Sequence, residues 1–173
     1  GLWNTKVESN LFPLTSKQWQ QLYNLSVQQT LDGVIFEGIL TLPSDSLPPK
    51  SMMLQWSVRL DTIERQNLKK NKITQELISL FSSRGIKVIL LKGQGLAQYY
   101  EKPLQRVSGD IDLYFEDEEM FNKANQLIEK LNIIVDKGAL NSTIYVWRGV
   151  EIEHHTRMID VLNPFCQSYL KEI

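Results

Sequence analysis

Val88-Ile89-Leu90-Leu91-Lys92-Gly93-Gln94-Gly95, and then Arg106-Val107-Ser108-Gly109-Asp110-Ile111-Asp112-Leu113-Tyr114-Phe115, are the residues whose reading decides the fold. An apolar strand runs into a small-residue turn that opens a helix. A second strand then carries two aspartates one residue apart. Successive side chains of a strand point to opposite faces, so Asp110 and Asp112 share one face while Ile111 and Leu113 take the other. Aspartate is a poor strand former, and like charges on one face repel. Two of them in an Ile/Leu/Tyr/Phe strand call for a counter-charge, and a divalent cation with hard oxygen ligands is the best candidate. The repulsion also sets an expectation for stability: neutralising either aspartate should leave the fold intact or slightly more stable.

A second acidic strand follows in Val150-Glu151-Ile152-Glu153-His154-His155-Thr156-Arg157. Glu151, Glu153 and His155 alternate onto one face, so either glutamate is a candidate third carboxylate. For Glu151 a solvent-facing place on a hairpin is the favoured reading. His154 and His155 face opposite ways and cannot chelate one ion together, and a single cysteine leaves no zinc set. His155 shares the acidic face, where it would touch substrate or orient a carboxylate. His154 reads as a packing or surface residue. Lys92 and Arg106 flank the turn and the acidic strand. Either would neutralise phosphate charge, or pair internally with the aspartates. Arg157 is a weaker candidate of the same kind. The Gly93–Gly95 turn is not a Walker A loop, since no Gly-Lys-Ser/Thr follows. It also fails the dinucleotide fingerprint, because Gln98 stands where the third glycine belongs. One of Tyr99 and Tyr100 is expected in the core.

Together these pieces resemble the nucleotidyltransferase superfamily with the DNA polymerase beta-like fold, and within it the bacterial uncharacterised nucleotidyltransferase family. The resemblance is carried by Leu90-Leu91-Lys92-Gly93, Leu96, Tyr99-Tyr100, Pro103, Arg106, Gly109-Asp110-Ile111-Asp112-Leu113, and Glu153 and His155 with Arg157. It spans most of residues 86–157. It implies metal-dependent transfer of a nucleoside monophosphate from an NTP to an acceptor hydroxyl, with Mg²⁺ (or Mn²⁺) as cofactor and pyrophosphate leaving. It implies Asp110, Asp112 and Glu153 as catalytic and metal-binding carboxylates, with Glu153 helping to deprotonate the acceptor. Relatives more often carry Asp at that third position. It further implies that the Gly93-Gln94-Gly95 turn presents backbone N–H groups to the triphosphate, with Lys92, Arg106, Ser108 and Gly109 completing the phosphate-binding set. Gln94 stands where a small residue is usual. The acceptor would be a small molecule or a protein ahead of a nucleic acid. Gln94 and Glu153 keep a second reading open, a fold that binds nucleotide without turnover and docks a partner protein through its helical half. A flavodoxin- or Rossmann-type domain rests only on the Gly-x-Gly turn.

The expected fold class is α+β: an N-terminal helical module over 1–85, then a mixed β-sheet flanked by helices over 86–173. Thr15 and Gln18 have capping-box spacing for a helix over 15–29. Leu31 to Leu42 is a second short apolar segment, and the proline-rich 43–49 is a loop. Met53, Trp56, Leu60, Ile63, Leu68, Ile73, Leu77, Leu80 and Phe81 mark one long helix, open to bending at Asn71 and ending at Gly85. Strands are expected over 86–91, 110–115 and 132–135, a helix over 93–101, an Asp117-capped helix to Lys130, and a hairpin turning at Arg148-Gly149.

Composition bounds the rest. The 173 residues suffice for a full core, and 42% hydrophobic with 23% charged content is that of a globular protein. A net charge of −1 gives no basic field for sequence-independent nucleic-acid binding. The lone Cys166 reads as a buried thiol in a reducing, cytoplasmic setting. No apolar run approaches the roughly 20 residues of a membrane helix, and no signal peptide is visible. Gly1 reads as a tag scar. Relatives of this type are often longer, so a core cut short at its C-terminal end is expected.

Overall fold

In the computed structural model, residues 11–138 and 142–157 are described. Cys166 and the expected turn at Pro164-Phe165 lie outside them. Thr15 opens the first helix: its hydroxyl accepts from the Gln18 N–H at 3.3 Å, and the Gln18 side chain accepts from the Thr15 N–H at 2.9 Å. Helix α1 (Ser16–Gln28) is followed by α2 (Asp32–Leu40), a 3₁₀ turn at Ser44–Ser46 and the long α3 (Lys50–Ser82). Then come β1 (Ile89–Leu90), α4 (Lys92–Ala97), a 3₁₀ turn at Pro103–Gln105, β2 (Ile111–Tyr114), α5 (Glu118–Lys130), β3 (Asp136–Lys137), β4 (Thr143–Trp147) and β5 (Val150–His155). The fold is mixed α+β, as the sequence leads one to expect.

The described residues fall into two units. The first holds 11–72 and 93–109, the second 73–92, 110–138 and 142–157. Helix α3 is uninterrupted from Lys50 to Ser82, yet the units divide within it at 72/73, next to Asn71. The chain crosses again at Lys92/Gly93 and at Gly109/Asp110. The change of period at 85/86 therefore falls inside the second unit.

The core of the first unit gathers Trp19, Phe36, Ile39, Met52, Trp56, Leu60 and Ile63. Tyr23 meets Trp56 edge-on with centroids 5.1 Å apart. Asp32 is fully buried and is held by Arg59, whose guanidinium rises above its ordinary pKa chiefly through that hydrogen bond. The Trp56 indole N–H donates to the Asp32 carbonyl at 3.2 Å. Inward positions along α3 run Leu60, Ile63, Asn67, Lys70, Thr74, Leu77 and Phe81. Leu68, expected inward, is exposed, and Asn67 takes its place because the 3.6-residue repeat from Ile63 lands on 67.

Among the described strands the sheet order is β1-β2-β5-β4-β3, with β2 and β5 parallel and the other neighbours antiparallel. Asp117 caps α5 through the Met120 N–H at 2.7 Å. The hairpin turns at Arg148 and Gly149, both with positive φ (51° and 76°), the backbone of a two-residue type I′ turn. Three expected elements differ. The strand over 86–91 reduces to Ile89–Leu90, because only those residues pair with β2. The strand over 132–135 moves to Asp136–Lys137, since Asn132 takes a positive φ of 60° as the chain leaves α5. The helix over 93–101 stops at Ala97, where Tyr99 and Tyr100 donate to Leu96 and Ala97 in tighter turns. Tyr99 is exposed and Tyr100 partly so; neither is core.

His154 is fully buried in the core of the second unit, ringed by Phe81, Phe115, Phe121 and Tyr145. Its Nδ1 lies 2.7 Å from Asn125 Oδ1 and its Nε2 lies 3.0 Å from the Tyr145 hydroxyl. Asn125 Oδ1 also accepts from Thr143 at 2.8 Å. An amide oxygen can only accept, so the proton sits on Nδ1, and Nε2 accepts from Tyr145.

Two outcomes follow for stability. An added Cβ at Gly33 would lie 2.8 Å from Gln105 Cβ and O, whereas one at Gly38 meets nothing within 4 Å. Gly33→Ala should therefore lower the melting temperature, and Gly38→Ala should raise stability by about 0.5–1 kcal/mol through helix propensity. Burial drops the His154 pKa from 6.5 to about 3, with a smaller push from His155. Below 6.5 the unfolded chain takes up a proton that the folded chain refuses, so stability is full above that pH and falls as pH drops. Urea titrations should lose about 2 kcal/mol between about pH 7 and about pH 5 on this account, and His154→Gln should remove most of that loss.

Candidate metal and nucleotide site

Strand β2 is buried from Ile111 to Leu113, and Asp112 between them is only 4% exposed. A carboxylate there must be compensated. Register does part of this: β2 and β5 run parallel with Asp112 opposite Glu153 and Tyr114 opposite His155. His155 Nε2 lies 2.9 Å from Asp112 Oδ1 and 3.5 Å from Glu153 Oε2. One ligand atom from each of Asp112, Glu153 and His155 lies within 4.8 Å of the others, a group of the kind that holds a metal ion.

The other compensation comes from β1. The Leu91 N–H donates to the Asp112 carbonyl at 2.9 Å, and the Lys92 ammonium reaches Asp112 Oδ1 at 3.2 Å. Lys92 does this from a left-handed backbone with φ of 37°, a region that side-chain-bearing residues seldom occupy. Gly93 then departs from helical geometry inside α4. Burial alone would raise the Asp112 pKa. The hydrogen bonds from His155 and Lys92, with their charges, outweigh it and hold the carboxylate below its ordinary range. Burial pulls Lys92 down, but the hydrogen bond to Asp112 and the charges of Asp112, Glu153 and Asp110 lift it above its ordinary value. The expected like-charge strain at Asp112 is thus reversed: its surroundings favour the charged form.

Asp110 stands one residue before β2, half-buried and outside the Asp112–Glu153–His155 group, though within electrostatic reach of Lys92. Glu151 and Arg157 are exposed. The remaining candidates belong to the first unit. Gln94 turns its amide onto Asn67 Oδ1 at 3.2 Å, and Arg106 donates to the Gly93 carbonyl at 3.2 Å. Ser108 donates to Asn67 Oδ1 at 3.0 Å, and Gly109 is exposed. Asn67 also donates to the carbonyls of Leu104 and Arg106, each at 2.7 Å, and Lys70 donates to the Ser108 carbonyl and hydroxyl. Two buried polar residues of α3 thus hold the segment leading to the aspartates. The sequence reading passed over both. Their signal was there: Asn67 and Lys70 occupy apolar-stripe positions, and a polar residue there needs a buried partner.

Two carboxylates and one imidazole suit a divalent cation; an all-oxygen set favours Mg²⁺, and a mixed oxygen and nitrogen set also suits Mn²⁺. No helix among the described residues is long and apolar enough to cross a membrane. Residues 15–173 match a family model described as uncharacterised nucleotidyltransferase. Neither the curated proteins nor the solved structures contain a match to this chain. A family model that takes in nearly the whole sequence, aspartate strand and acidic β5 included, settles membership: this chain belongs to the uncharacterised nucleotidyltransferase family.

Proposed function

We propose that the protein transfers a nucleoside monophosphate from an NTP to an acceptor hydroxyl, using a divalent cation held by Asp112 and Glu153. The observation that carries this reading is the register of β2 and β5, which sets Asp112 opposite Glu153 with His155 beside both. A bound Mg²⁺ or Mn²⁺ would supply charge neutralisation and Lewis-acid activation at the phosphates. Asp112 is already ionised and desolvated, so no reorganisation is needed for it to act as a ligand. His155 is proposed to fix the Asp112 carboxylate or to add a nitrogen donor. Asp110 is proposed as the second aspartate of the set, because its charge already acts on Lys92 beside Asp112. Glu153, half-buried and beside His155, is the proposed base for the acceptor hydroxyl. Lys92, 59% exposed at its side chain, is able to exchange Asp112 for a phosphate oxygen. The turn Gly93-Gln94-Gly95, with Ser108 and Gly109, is proposed to present backbone N–H groups to the triphosphate, and Arg106 to brace that turn through the Gly93 carbonyl. Acceptors of small-molecule or protein type fit the near-neutral charge better than nucleic acid.

The test is incubation of the full chain with each NTP, Mg²⁺ or Mn²⁺, and a cell extract, whole and deproteinised, as acceptor source, reading pyrophosphate and labelled product together. Metal-dependent release is expected, reduced about 100-fold or more in Asp112→Asn and in Glu153→Gln. Unchanged product formation in both variants, or nucleotide bound without any pyrophosphate released, would contradict the reading. In EDTA, Asp112→Asn should lose about 1 kcal/mol of stability, since its charge-assisted hydrogen bonds to His155 and partly exposed Lys92 go with the charge. A more stable variant in a thermal melt would show instead that like-charge repulsion dominates there.

A further inference from the structure

We infer that Asn67 is a positioning residue for the nucleotide: from α3 it holds the Gly93-Gln94-Gly95 turn and the 104–109 segment in one arrangement, so that their backbone N–H groups meet the triphosphate together. This role rests on the nucleotidyl-transfer reading, and every residue it uses lies in the first unit. Asn67 stands on the inward stripe of α3 and is 3% exposed. Asparagine is a weaker helix former than the leucine that suits such a position, and its buried amide must be matched. Its two donors and two acceptor sites are all used. Nδ2 donates to the carbonyls of Leu104 and Arg106, and Oδ1 accepts from the Gln94 amide and the Ser108 hydroxyl. The identities follow from one another. A backbone carbonyl only accepts, so the nitrogen faces 104 and 106. The oxygen then faces 94 and 108, which makes Gln94 present its Nε2 and Ser108 its proton.

All of these bonds go to the two segments proposed for the triphosphate. Two neighbours reinforce them. Arg106 ties the same segments directly through the Gly93 carbonyl, and Lys70, one turn along α3, donates to the Ser108 carbonyl and hydroxyl. The network also accounts for Gln94, which stands where a small residue is usual. Its amide is directed inward: Nε2 is bound to Asn67 and Oε1 is buried. The added length is taken up inside the unit rather than over the turn. Ser108 likewise commits its one side-chain proton to Asn67. Neither side chain is then a phosphate ligand. Both are anchors, and contact with the nucleotide falls to the backbone. Backbone N–H groups recognise an anion well only when their dihedral angles are held in advance, and a loop needs outside support for that. Asn67 supplies the support at 94 and at 104–108 from a single rigid helix position.

The experiment measures binding to the full chain, with Mg²⁺, of analogues of the four NTPs that cannot be cleaved between the α- and β-phosphates, at a temperature well below each variant's melting point. Asn67→Ala should weaken the analogue that binds best about tenfold or more, and Gln94→Leu and Ser108→Ala about threefold each. In the Asn67→Ala background Gln94→Leu should cost nothing further, because both act through one amide. Trp56→Phe, which removes a buried hydrogen bond elsewhere in the same unit, should lower the melting temperature and leave the affinity as it was. Mn²⁺ alone should bind all the variants alike, since the network holds none of the proposed metal ligands. If Asn67→Ala does not fold, the Gln94 and Ser108 variants carry the test. Affinity unchanged in Gln94→Leu and Ser108→Ala, losses that add in the double variant, or an equal loss in Trp56→Phe overturns the inference and leaves the nucleotidyl-transfer reading standing. An unsubstituted protein that binds none of the four analogues contradicts that reading and this inference with it.

Discussion

A single buried carboxylate organises the second unit. Asp112 lies in the most buried strand of the sheet, where an uncompensated charge would cost several kcal/mol. Its neighbours are arranged to keep it charged. The parallel pairing of β2 with β5 brings up Glu153 and His155, and the short β1 delivers Lys92 from a left-handed backbone. Each of these features is poorly explained by stability alone. An apolar residue at 112 would need none of them, and a carboxylate held below its ordinary pKa beside a second carboxylate is a candidate cation ligand.

The rigidity behind this arrangement comes from the opposite neighbour on the same strand. His154 alternates with Glu153 and His155 and is locked by Asn125, Tyr145 and three phenylalanine rings. A neutral imidazole bonded at both nitrogens has one tautomer and one orientation, so β5 has little freedom to rotate its acidic face. Adjacent histidines with the same chemistry thus do opposite work: one is buried structure, and the other stands among the carboxylates.

Much of this was legible in the sequence. Two aspartates in an apolar strand, the acidic alternation of 150–155, the Thr15 capping box, the Asp117 cap and the Arg148-Gly149 turn each have a local physical cause, and local causes can be read from local sequence. What escaped depends on tertiary partners. The strand at 86–91 was overestimated and the one at 132–135 misplaced, because a strand forms only where a neighbour pairs with it. Asn67 and Lys70 were missed because an apolar stripe was traced by hydrophobicity, and Leu68 drew it one position off register. His155 was legible as a residue of the acidic face that orients a carboxylate, but which aspartate it meets, and the place of Asp110 outside the group, depend on parallel register between segments about forty residues apart. Alternation alone cannot supply that register.

The family match and the geometry both support the proposal of a cation held by Asp112 and Glu153. Electron paramagnetic resonance of Mn²⁺ titrated into the full chain, with a non-hydrolysable NTP analogue present, reads that contact without requiring turnover or a known acceptor. The free-ion signal should be lost with saturation in the unsubstituted protein, and should persist in Asp112→Asn and Glu153→Gln at the same concentrations. Mn²⁺ bound equally well by all three proteins would place the ion elsewhere and remove the basis for the metal site.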